Sequence, residues 1–134
     1  ALKDIAPNDH WTTIDDDDYY GPEYLSEVAL NIPNGDVIGK SKSFVKLSDG
    51  HVYLIDRWEE NSPSRAVHGP TVTGRIKDSI LFEVLDWGED LDWVKEMRRL
   101  GASVYSTSAY NWCYCRYIGR LSRFTQLRLQ FRSP

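Results

Sequence analysis

Asp56 falls in phase with Val52, Leu54 and Trp58, so an alternating stretch puts a carboxylate on an otherwise apolar face. A carboxylate there is costly unless a neighbour hydrogen-bonds it or a ligand uses it. What lies opposite depends on Asn34-Gly35 and Asp49-Gly50, dipeptides that favour tight hairpins because Asn, Asp and Gly tolerate positive φ. Two-residue loops at both sites pair Leu47 with Val52, Val45 with Leu54 and Ser43 with Asp56. In the first hairpin they pair Ile32 with Val37, Leu30 with Gly39 and Val28 with Ser41. The shared apolar face then has a gap at its centre, formed by Gly39, Ser41, Ser43 and Asp56 beside Trp58. Either a helix packs into that gap through Trp93 or Met97, or a small-ligand or enzymatic cup remains, with Asp56 as its polar anchor and Ser43 able to donate to it.

A second constellation is one strand with two chemically distinct faces. Tyr110, Trp112, Tyr114 and Arg116 alternate onto one side, and Cys113, Cys115 and Tyr117 onto the other. With the cysteine side inward, a row of aromatics and an arginine faces outward. Protein hot spots and single-stranded nucleic-acid platforms both use those residue types. Arg128 and Arg132 on the following strand would widen the patch. With the aromatic side inward, the same residues line the core.

The remaining chemistry-bearing residues lack productive spacing. Cys113 and Cys115 sit about 7 Å apart along a strand, too far for easy bridging. They make at most half a metal site, and none of His10, His51 and His68 stands at a diagnostic spacing. The pair reads as two small buried apolar side chains. Glu83 and Asp86 fall on opposite faces of one strand and cannot act as a matched acid and base. His51 and Asp56 are likewise on opposite faces. The run Asp15–Asp18 lacks the glycine and distal glutamate of a calcium loop and reads as a solvated acidic stretch. There is no nucleophile elbow, phosphate loop or zincin motif. No pattern implies a metal or cofactor, and no motif supports catalysis.

These residues need elements to hold them. Residues 1–22 read as an irregular acidic arm lying on a single domain that spans 23–134, because Pro7, the aspartate run and Gly21-Pro22 oppose regular structure while Trp11, Ile14, Tyr19 and Tyr20 are too apolar for a free tail. Tyr24–Ile32, Val37–Leu47 and His51–Trp58 read as a three-strand meander. Glu59–Pro70 reads as a polar loop, and Thr71–Ile76 and Ser79–Asp86 as two further strands. One helix is expected over about residues 89–100, with Trp93, Val94, Met97 and Leu100 on its apolar side, Arg98 and Arg99 in its last turn and Gly101 as its stop. Strands over Ser103–Ile118 and Thr125–Arg132 close the chain. The fold class is α+β, a curved and mostly antiparallel sheet of about seven strands around one main helix.

The chain has 134 residues, 41% of them hydrophobic, with 5 Trp, 8 Tyr and 4 Phe. That composition suits one globular, soluble domain with a real core. No apolar run is long enough for a membrane span. The lack of a disulfide framework and of a visible signal peptide favours a cytoplasmic setting. The net charge of −4 is unevenly spread. Residues 1–60 carry 13 acidic and 5 basic side chains, residues 61–134 carry 7 and 11, and no acid follows Glu96. The expected function is therefore a small non-catalytic binding protein. Tyr110, Trp112, Tyr114, Arg116, Arg128 and Arg132 would engage a protein partner or a second copy. The alternatives are the small-molecule cup around Asp56 and single-stranded nucleic-acid binding, the latter opposed by the overall acidity.

Overall fold

The computed structural model describes residues 9–55, 59–78, 90–116 and 129–131. Asp56, Trp58, Arg128, Arg132 and the strand expected over residues 79–86 lie outside them. The fold is α+β. Where one curved sheet was expected, the described residues form two mixed five-stranded sheets and two α-helices. The first sheet runs in the order β1 (His10–Thr12), β7 (Thr73–Arg75), β3 (Val37–Gly39), β8 (Val104–Ser106) and β6 (Ser62–Pro63). The second runs in the order β10 (Leu129–Phe131), β5 (Val52–Ile55), β4 (Ser43–Leu47), β9 (Trp112–Arg116) and β2 (Tyr19–Tyr20). The helices are α1 (Tyr24–Asn31) and α2 (Asp90–Arg99). No helix among the described residues is long and apolar enough to cross a membrane.

Two segments expected as single long strands each divide between the sheets. Residues 37–47 give β3 and then β4, and residues 104–116 give β8 and then β9. β3 pairs with β8 and β4 with β9, both in parallel, so the two segments cross from one sheet to the other side by side. Residues 9–22 supply the edge strands β1 and β2.

The expected first hairpin does not exist. Tyr24–Asn31 is helical and is followed by a 3-10 turn at Ile32–Asn34 with Pro33 in its first positions. Gly35 has φ −171°, ordinary extended backbone, so Asn34-Gly35 makes no tight turn. The second hairpin exists one residue out of the expected register: Ser43 faces Ile55, Phe44 faces Leu54, Val45 faces Tyr53 and Lys46 faces Val52. Its loop holds three residues, Ser48, Asp49 and Gly50, with Leu47 N–H bonded to His51 O at 3.1 Å and Gly50 at φ +88°. This is the three-residue turn in which glycine takes the left-handed position. Val45 and Leu47 therefore share a face with Tyr53 and Ile55, while Val52 and Leu54 join Phe44 and Lys46 on the other.

The expected helix forms and stops at the expected glycine. Gly101 has φ +95°, its N–H bonds Arg98 O at 3.0 Å, and Ala102 N–H reaches back to Met97 O at 2.9 Å. That double bond is the left-handed glycine stop that satisfies the last carbonyls. Trp93, Val94 and Met97 are buried against Val37 and Val104 of the first sheet and Val72 just before β7, whereas Leu100 is exposed. The helix thus covers the first sheet and leaves the β4–β5 hairpin to other neighbours. Gly74 makes the docking possible: a Cβ there would lie 2.5 Å from the Trp93 ring. Trp11 meets Trp93 edge-on at 4.9 Å, and Trp93 Nε1–H donates to Asp78 O at 3.1 Å.

Candidate functional site

The gap anticipated at Gly39, Ser41 and Ser43 is filled. A Cβ on Gly39 would lie 2.6 Å from Val67, so the loop after β6 occupies the space opened by the glycine. Ser41 Oγ is within hydrogen-bond distance of Glu59 O (3.1 Å) and Ser106 Oγ (2.7 Å). Ser43 is buried opposite Ile55, one position away from its expected partner Asp56, and its hydroxyl has no hydrogen-bond partner among the described residues. Asp56 and Trp58 fall outside the described residues.

Beside that filled gap lies a charged centre that the alternating pattern concealed. Lys40, at the point where the chain leaves the first sheet, is 1% exposed. Its ammonium donates to Glu27 Oε1 (2.5 Å), Ser108 O (2.8 Å) and Thr107 Oγ1 (3.0 Å), which satisfies all three protons. Ser108 Oγ donates to the other Glu27 oxygen at 2.5 Å, and the Tyr24 ring lies 5.9 Å from the ammonium. Burial pulls the Lys40 pKa below its ordinary value, opposed by Glu27. The centre ties α1 to both crossing segments, and its burial denies it acid–base chemistry with a soluble substrate.

A third polar group sits at the open end of the first sheet. His10 of β1, Arg75 of β7, and Asp36 and Ser103, the residues just before β3 and β8, come together there. Clefts of about 410 and 390 Å³ flank the Asp36–Arg75 pair. Arg75 Nη2 donates to Asp36 Oδ1 at 2.5 Å, while Ser103 N–H and Oγ–H donate to Asp36 Oδ2 at 3.0 and 3.2 Å. The Ser103 bonds and the guanidinium hold the Asp36 carboxyl below the usual carboxylate range. Both carboxylate oxygens are engaged in joining strand ends, so the pair acts as a lock on the sheet.

The aromatic strand divides at Asn111, whose φ of +71° resets the alternation. Trp112 is 2% exposed, and it and Tyr114 turn inward with Val45. His68 lies 5.6 Å from the Trp112 ring and stacks on Tyr114 at 6.4 Å. Tyr110, on the other side of the reset, is 60% exposed and meets Phe44 at 5.5 Å. Arg116 ends β9 opposite Leu47. The outward row of three aromatics is therefore not built.

A different outward group replaces it. Tyr19, Cys113, Phe44 and Leu54 are register neighbours across β2, β9, β4 and β5, so they share the outer face of the second sheet. Tyr19 is 58% exposed and Phe44 partly so, whereas Leu54 is buried at 5%, so the open part of the face lies toward β2 and β9. The next row on this face holds Cys115, Lys46 and Val52. Both cysteines, expected to be buried, are half-buried on this outer face. Burial and the neighbouring Cys115 thiol push the Cys113 thiol up to about 11. Sequence reasoning missed Tyr19 and Phe44 because the first was assigned to an irregular arm and the second lay opposite an incorrectly registered strand. Comparison with protein-family models, curated proteins and solved structures finds no match for the chain.

Proposed function

We propose that this protein is a non-catalytic binding module that engages a protein partner through the outer face of its second sheet. Tyr110, packed at a tilt against Phe44 yet 60% exposed, is the observation that carries this reading. A large ring held in place by a neighbour and still open to water loses little freedom on binding, which is how aromatic anchors gain affinity. Tyr19 extends the patch toward the β2 edge. Trp112 and Tyr114 serve the core instead.

Charge indicates the partner. The β2 edge follows the Asp15–Asp18 run, with Asp16 and Asp17 exposed, while β10 at the opposite edge is flanked in sequence by Arg128 and Arg132. The face thus carries exposed carboxylates beside β2 and the exposed Lys46 on β4, with Tyr19, Phe44 and Tyr110 around them. A two-fold interface needs a self-complementary patch, and this pattern complements itself when turned through 180°. The partner proposed is a second copy of the chain.

Sedimentation velocity tests it. The wild type is expected to dimerise with rising concentration and to dissociate as salt screens the acidic and basic groups. Tyr110→Ala should remain monomeric with an unchanged melting temperature. A wild type that stays monomeric, or a Tyr110→Ala variant that dimerises equally well, overturns the proposal.

A further inference from the structure

Cys113 and Cys115 occupy consecutive outward positions of β9, a strand held in register on both sides by β2 and β4. The Cys115 thiol turns back toward Cys113, lying 3.6 Å from Cys113 O, and the Cys113 thiol lies 3.9 Å from Tyr114 O. Both are half-buried, and the Cys115 N–H is fixed by Asp18 Oδ1 at 3.1 Å. Alternate residues of a strand stand about 7 Å apart at Cα, beyond the usual disulfide span. A bridging atom relaxes that constraint. With metal–sulfur bonds of about 2.3 Å, a linear S–M–S unit spans about 4.6 Å between sulfurs, which two parallel side chains on one strand can reach.

We propose that Cys113 and Cys115 form a chelating dithiol for a soft monovalent cation, Cu(I), bound in two-coordinate geometry. The coordination number follows from the surroundings. His10 lies in the first sheet, His51 sits beside Asp49 on the β4–β5 turn, and His68 packs against Trp112 and Tyr114 on the opposite face, so no histidine completes a tetrahedral set. Among the described residues the neighbouring carboxylate, Asp18, already accepts from the Cys115 N–H, and two thiolates suit a soft cation better than the four-ligand demand of structural zinc. Binding is proton-coupled: one Cu(I) and two thiols give a bis-thiolate complex of net charge −1 and two released protons. Because protons are released on binding, affinity rises with pH. The thiols lie on the face proposed to engage a second copy, so copper binding is read on the dilute chain, and its failure would leave the partner proposal untouched.

The reduced full chain, kept dilute, is titrated with Cu(I) against bathocuproine disulfonate, a competing chelator whose copper complex is coloured. The expected result is withdrawal of one copper per chain, X-ray absorption showing two sulfur neighbours, and an affinity that climbs with pH. Cys113→Ser and Cys115→Ser should each lose the one-to-one complex with the circular dichroism unchanged. Where a serine variant does not fold, the alanine variant at the same position takes its place. Retention of stoichiometric copper by either single variant overturns the proposal. So does a wild type that leaves all copper on the chelator, a pH-independent affinity, or a preference for Zn(II) in the same competition.

Discussion

Lys40 shows how a single residue can be misread from pattern alone. An alternating stretch assigns it to the solvent face of a strand, yet it is buried with every ammonium proton donated. Nothing local in the sequence marks this, because its partners Glu27, Thr107 and Ser108 are 13, 67 and 68 positions away. The energetics give a clear expectation. Lys40→Met leaves Glu27 facing an apolar side chain and should cost about 3–5 kcal/mol, as for removal of one partner of a buried pair. Adding Glu27→Leu removes the stranded charge and should recover much of the loss. Urea unfolding of the two variants measures both, and an equally unstable double variant would mean that the helix depends on the charge itself. The pH dependence has a definite sign. The unfolded amine titrates near 10.5 and the folded one lower, so between those two values the unfolded chain binds more protons and stability rises with pH. The stability difference between wild type and Lys40→Met should therefore grow toward pH 10.5. Below the folded pKa it should be flat.

At the scale of elements, the helix near residues 89–100 was legible because its signals agree: apolar residues spaced three and four apart, cations at the end and a glycine stop. The Gly101 geometry bears them out. Tyr24–Ile32 was not legible. Tyr24, Val28 and Ile32 are four apart, and four residues is both two strand periods and about one helical turn, so the same apolar set fits either element. Asp49-Gly50 was ambiguous in a different way. A two-residue loop and a three-residue loop both place glycine after aspartate at positive φ, and the choice shifts every downstream side chain by one face. The notion that a small residue makes room for a large neighbour was sound, but its location differed. Val67 fills the space at Gly39, and Trp93 fills the one at Gly74. Gly39→Ala should accordingly overpack the site and cost about 1–3 kcal/mol. Val67→Ala in the same chain should return part of that cost by vacating the volume the new methyl needs. Thermal melts of the two single variants and the double variant form the cycle. Strictly additive losses would show that the two residues do not compete for the same space.

For the whole molecule, the decisive feature is the pair of parallel segments that change sheets together. They pin the outer face of the second sheet from within: Phe44 and Cys113 are register partners on adjacent strands, and Tyr110 leans on Phe44 from just before β9. A face so held changes little on association, so the thiols of Cys113 and Cys115 report directly on whether it is covered. If a second copy docks there, alkylation of these cysteines should slow as protein concentration rises at fixed pH. Tyr110→Ala should abolish that slowing without changing the rate measured in dilute solution, where the chain stands alone. The comparison separates burial from intrinsic reactivity, since the raised pKa of Cys113 slows the reaction equally at every concentration. A rate that does not depend on concentration while dimer is present would place the contact on another surface. The exposed α1 side chains Leu25 and Leu30 would then be the first positions to mutate.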